Sequence, residues 1–156
     1  MQQAHEGKVF WKNIALPRFM YGQEVLRYTK ADMEKLRRLD NKAYRTILGL
    51  PVYTAEEFLR GEVGASSIEA RDMKNKLNYY KYAAQETGNR ILKQVAEKEF
   101  LHDSKWFKII GKYMEELNIT KEELMYKSKK EIRGMMDNWN TLQWRKNMVT
   151  KTTKFI

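Results

Sequence analysis

The chain has 156 residues, 42% of them hydrophobic and 32% charged, and its 30 Lys and Arg against 20 Asp and Glu give a formal net charge of +10. That length and mixture exclude a disordered tail and provide for one domain or two small helical lobes with a real core. The absence of cysteine excludes disulfides and thiolate metal sites. No apolar run is long enough to span a bilayer, and MQQAHEGKVFW lacks the basic-then-apolar order of a secretory signal, so a cytoplasmic or nuclear protein with no membrane partner is expected.

Only two prolines and eight glycines punctuate the chain, and strand-like alternation is scarce. An all-α fold of about seven or eight helices follows, divided into a first lobe over residues 1–88 and a second over 89–156. The first helix is expected over residues 9–16, with Pro17 either kinking it or opening a second segment that reaches residue 27. Phe10, Ile14, Phe19, Val25 and Leu26 are its expected buried groups.

Thr29 can cap a helix over 30–48, in which Met33, Leu36, Ala43, Tyr44 and Ile47 share one face. Gly49-Leu50-Pro51 reads as its C-terminus, because glycine tolerates a left-handed closing residue and proline cannot continue the ladder. Thr54 with Glu57 and Ser66 with Glu69 have capping-box spacing, so two further helices should begin there. Gly61 and Gly64 suit a tight connection between close-packed helices.

A long helix from 67 to about Thr87 should bury Met73, Leu77, Tyr80 and Ala84 before Gly88 and Asn89 break it. The second lobe is expected to hold helices over about 90–102, 105–117, 121–126 and 129–148. Thr120 with Glu123 and Ser128 with Glu131 again have capping-box spacing. Trp106, Ile110, Met114 and Leu117 form one apolar stripe, and Ile132, Met135, Trp139 and Leu142 another, both read as core. Trp144 falls off that last stripe, leaving three readings: cover for a neighbouring element, a partner contact or a platform for an unpaired base.

The charge pattern is most organised on the helix over 30–48. Lys35, Arg38, Lys42 and Arg45 recur at three, four and three residues, which aligns them along one face opposite the core stripe. Arg71, Lys74, Asn78 and Lys81 repeat the spacing on the later long helix, with Tyr79 and Tyr82 nearby. Two such ridges could track a phosphate backbone while the tyrosines stack or pack at the rim. The alternative is a solvated face partly balanced by Glu34, Asp40 and Asp72.

No catalytic or metal constellation accompanies these ridges. His5 and His102 are the only imidazoles, so a Cys/His zinc site cannot be assembled, and His102 is read as complementing a helix C-terminus. Glu56 with Glu57, Glu115 with Glu116 and Glu122 with Glu123 are adjacent and diverge on a helix, so they read as solvated charges. There is no glycine-rich phosphate loop, and no cofactor is expected.

ALPRFMYGQEV (15–25), LRRLDNKAYRTILGLP (36–51) and LRGEVGASSIEAR (59–71) together resemble the region that follows the palm in non-LTR, LINE-type retrotransposon reverse transcriptases. NWNTLQWRKNMVTKTT (138–153) resembles that family's helical C-terminal extension. The segments occur in the family's order across most of the chain, and Tyr21-Gly22-Gln23-Glu24 and Leu48-Gly49-Leu50-Pro51 are their most specific parts.

The resemblance implies a thumb-like lobe that holds an RNA–DNA or DNA duplex beside a palm and fingers supplied by the parent polymerase. It places the helix bearing Lys35, Arg38, Lys42 and Arg45 near that duplex. Polymerase chemistry needs closely placed carboxylates to hold two metal ions, whereas Asp32, Asp40, Asp72, Asp103 and Asp137 are isolated. The expected function is therefore noncatalytic duplex positioning. A helical protein-interaction module using Tyr82, Trp144 or the kinked N-terminal segment, and a functionless retroelement remnant, are the alternatives.

Overall fold

Helix termini in the computed structural model follow local chemistry at most of the expected places. The structure describes residues 2–85, 89–101 and 104–153, so His102, Thr87 and Gly88 lie outside the described residues. The elements are α1 (Gln2–Phe10), a π turn (Trp11–Ala15), α2 (Leu16–Phe19), α3 (Lys30–Leu48), α4 (Glu56–Val63), α5 (Ile68–Gln85), α6 (Arg90–Leu101), α7 (Lys105–Leu117), α8 (Lys121–Tyr126) and α9 (Lys129–Thr153). Among the described residues there is no strand, and the fold is all-α.

Thr29 Oγ1 accepts from the Asp32 amide at 3.2 Å, and Asp32 Oδ2 accepts from the Thr29 amide at 3.0 Å, closing a box at the start of α3. At its other end Gly49 sits at φ 65°, and the Leu50 amide donates to Arg45 O at 2.8 Å. The Thr120–Glu123 and Ser128–Glu131 boxes form as their spacing predicts. The Thr54–Glu57 box does not. Thr54 Oγ1 instead donates to Pro51 O at 2.7 Å, tightening the preceding turn, and Ala55 caps α4 without a side-chain bond. At α5 the Ser67 amide is taken by Asn140 Oδ1 at 3.0 Å, a partner 73 residues away.

The N-terminal rod departs furthest from expectation. Phe10, Ile14, Phe19, Val25 and Leu26 are exposed, whereas Leu16 and Met20 are buried. Pro17 has no N–H to donate back to the preceding turn, and the chain there widens into the π turn, in which the Leu16 amide reaches Trp11 O. The wider turn changes the phase of the faces, so periodicity counted through it selects the wrong residues, and α2 ends at Phe19 rather than reaching residue 27, which leaves Val25 and Leu26 outside any helix. Pro17 occupies the first turn of α2.

The chain divides into two compact units that are not successive halves. The first comprises 1–22, 28–69 and 140–156, and the second 23–27 and 70–139, a partition different from a cut after residue 88. In the first unit Tyr44, Leu59, Val63 and Ala65 form one apolar cluster, while Leu16, Met20 and Ile68 form another against Met33 and Leu36. Polar groups are buried alongside them. Arg60 donates to Asp40 Oδ2 at 2.6 Å and Asn41 Oδ1 at 3.0 Å, and Trp11 Nε1 donates to Asp40 Oδ1 at 2.8 Å. Asp40 thus has both carboxylate oxygens satisfied, as a buried charge requires.

The second unit packs Met73, Leu77 and Tyr80 of α5 against Phe107, Ile110 and Met114 of α7, Leu124 of α8, and Ile132 and Met136 of α9. Both expected stripes contribute, although Leu142 is exposed. This unit also buries a charge pair: Lys76 bonds Asp72 and donates to Gln23 O at 2.6 Å, while the Tyr113 hydroxyl donates to Asp72 Oδ2 at 2.7 Å. Burial pushes the Tyr80 phenol up to about 12, with the Glu122 carboxylate adding to the effect.

Candidate nucleic-acid interface

In the first unit, the solvent side of α3 is set by what its other side must bury. Tyr44, Asp40 and Asn41 face the interior, so the residues opposite them, Lys35, Arg38, Leu39 and Lys42, are exposed. Seven residues of α-helix separate Lys35 from Lys42, about 10 Å along the axis. Arg38 leans on Glu34, its Nε donating to Oε1 at 3.0 Å, with its side chain still 78% exposed. The Arg38 and Arg37 guanidiniums hold the Glu34 carboxyl below its usual range, the Arg38 hydrogen bond contributing most.

Arg45, expected as the fourth member of this ridge, is half-buried. Its Nη2 and Nε donate to Thr54 O at 2.6 and 3.2 Å, tying the end of α3 to the α3–α4 turn. Asp40 does not balance the ridge as a solvated charge, because it is turned inward onto Arg60 and Trp11. Glu57 is likewise buried rather than solvated, and Glu56 lies within reach of both Arg37 and Arg60.

The series on α5, within the second unit from Ala70 onward, has a different fate. Arg71, Lys74, Asn78 and Lys81 are half-buried, and along Ile68–Gln85 only Tyr82 and Gln85 are exposed. Asn78 donates back to Lys74 O at 2.9 Å, and Lys81 donates to Lys127 O beyond the end of α8. Asp72, expected on the surface, is buried with Lys76. Lys81 thus ties α5 to the segment after α8, and all four side chains are partly covered.

The aromatic candidates separate in the same way. Tyr79 sits edge-on to Trp106 with ring centroids 6.1 Å apart, at the rim of a mainly apolar cavity of about 200 Å³ that Tyr80, Phe107 and Val95 also line. Tyr82 is 55% exposed. Trp144 covers α4: its Nε1 donates to Glu57 O at 2.8 Å, and a Cβ added to Gly61 would meet its ring at 3.3 Å. Of the three readings its sequence position allowed, cover for a neighbouring element is the one realised, and Gly61 is small where the indole must approach.

Two features escaped the sequence reading. Asp40, Asn41 and Arg60 form a buried polar cluster whose members lie up to 20 residues apart, and no local pattern joins them. Lys105, Lys108 and Lys112 occupy the solvent side of α7 at spacings of three and four, the same signal that identified α3. Among the described residues no group of three His, Asp or Glu side chains is placed to hold a metal ion, and no helix is long and apolar enough to cross a membrane. No protein-family model, curated protein or solved structure matches this chain.

Proposed function

We propose that this chain is a noncatalytic nucleic-acid-binding segment whose α3 face contacts the phosphates of an RNA–DNA or DNA duplex. The observation that supports it is the distribution of charge on α3: Lys35, Arg38 and Lys42 face solvent, Asp40, which lies between Arg38 and Lys42 in sequence, is buried on Arg60, and of the three cations Glu34 offsets Arg38 alone. Cations held along a helix face neutralise phosphates without reading bases, so binding is strong at low salt and weakly sequence-selective. The resemblance to the post-palm region of LINE-type reverse transcriptases assigns this positioning role a context, with palm and fingers performing nucleotidyl transfer in a cytoplasmic or nuclear polymerase.

Arg45 is committed to Thr54 O, which leaves three cations for the contact. The logarithm of affinity should then fall with the logarithm of salt with a slope of about −2.7 from this face. A Lys35→Gln/Arg38→Gln/Lys42→Gln variant that keeps its helical spectrum should lose most of that slope. An unchanged slope in the folded variant would reject α3 as the contact surface.

A protein-interaction module is the second reading, supported by the exposure of Tyr82, Phe10 and Phe19. Salt-insensitive association with a protein, without duplex binding, would select it.

A further inference from the structure

Tyr21, in the motif Tyr21-Gly22-Gln23-Glu24, is 86% exposed and takes no part in the α3 face. It follows α2 directly, its amide donating to Arg18 O at 3.4 Å, and Gly22 at φ 75° then turns the chain away. A left-handed φ favours glycine, so the turn that leaves the ring outside is specified by the residue next to it. Upstream, the π turn and Pro17 direct Asn13 and Ile14 outward rather than into the Leu16–Met20 core. Together Asn13, Ile14, Pro17, Arg18 and Tyr21 line an open depression of about 500 Å³ within the first unit.

This lining combines an aromatic face, an apolar floor from Ile14 and Pro17, a side-chain amide and a guanidinium, with no acidic residue. The side chains of Asn13, Arg18 and Tyr21 are exposed, so their donors, acceptors and ring face are presented to solvent. We propose that this depression binds one unpaired nucleotide: the base stacks on Tyr21, Asn13 meets the base edge, and Arg18 neutralises the adjoining phosphate. The inference rests on the nucleic-acid reading and extends it from duplex to unpaired strand. Stacking on an aromatic ring tolerates any base, whereas an amide beside it can bias the choice.

Three probes measured against the whole chain at one salt concentration test it: a blunt DNA duplex, the same duplex with a short unpaired tail, and that duplex with an abasic tail of equal length. The phosphates of the two tails are equal, so their difference isolates the bases. The base-bearing tail should bind about fivefold tighter or more than the abasic one. Tyr21→Ala should abolish that difference, Tyr21→Phe should retain it, and Arg18→Gln should weaken both tailed probes alike. Equal binding of the two tails, or a difference that survives Tyr21→Ala, overturns the proposal. If the blunt duplex fails to bind while the base-dependent difference persists, the α3 reading falls and this one stands. Failure of all three probes to bind removes both.

Discussion

α3 and α5 carry the same arrangement of polar residues three, four and three positions apart, yet α3 leaves three of its four cations in water and α5 holds all of its series half-buried. On α3 the apolar and buried polar groups occupy a single side, so Lys35, Arg38 and Lys42 stay in water. α5 is covered along nearly its whole length: Lys81 of the series bonds the carbonyl beyond α8, and Lys76, which lies between the series positions, is buried on Asp72 and Gln23 O. Helical spacing reports which residues share a face. It does not report whether another element covers that face.

The contrast is most sharply broken at Lys76. Lys76→Met leaves the Asp72 carboxylate buried beside the Tyr113 hydroxyl without its cation, and stability should fall by about 3–5 kcal/mol, read from the urea midpoint. Lys81→Met removes a charged donor from a carbonyl in a partly exposed place, and about 1–2 kcal/mol should be lost in the same measurement. By comparison, each of Lys35→Gln, Arg38→Gln and Lys42→Gln should change stability by no more than about 0.5 kcal/mol, because these side chains are exposed. A large destabilisation from the α3 changes, or none from Lys76→Met, would erase the distinction.

Titration sharpens it further. The phenol of Tyr80 on α5 is raised to about 12 by burial, above its ordinary 10.0. The unfolded chain therefore releases this proton first, and the contribution is intact below pH 10 and lost between pH 10 and about 12. Tyr80→Phe should flatten the alkaline limb of the stability profile.

On α3 and α9 the shifts run the other way. The Thr29 and Ser128 hydroxyls hold Asp32 and Glu131 below their ordinary 3.8 and 4.5, so these caps contribute above those values and fail as pH falls through the folded-state ones. The smallest expected effect is a loosening of both helix starts as pH falls through those lowered folded-state values, visible as smaller amide protection factors at Asp32 and Glu131 once the intrinsic pH dependence of exchange is divided out. Protonation of Glu34, as pH falls through its own lowered value, releases Arg38, and duplex affinity should then rise slightly.

Much of the fold was legible because its signals are local. The Thr120 and Ser128 boxes, the Thr29 cap and the left-handed Gly49 each involve groups a few positions apart, and all appear where their spacing places them. The first rod was misread because Pro17 lies just beyond a π turn, where a constant helical period no longer applies. Thr54 does not cap α4 because its hydroxyl closes the preceding turn by donating to Pro51 O, and the N-cap position falls one residue later, on Ala55. For the candidate site, the exposure of Lys35, Arg38 and Lys42 follows from the α3 pattern, while the withdrawal of Arg45 depends on the path of the turn to Thr54.

The sequence by itself determined that the chain is helical, where most helices start and stop, and which residues share each face, because those properties are settled by neighbours within one or two turns. Tertiary structure decided which charged faces meet water. Asp40 finds Arg60 20 residues away, the Ser67 amide finds Asn140 across 73, and Trp144 finds Glu57 across 87. A buried charge or amide must be satisfied by whatever the packing brings to it, and no periodicity within a single helix encodes that partner.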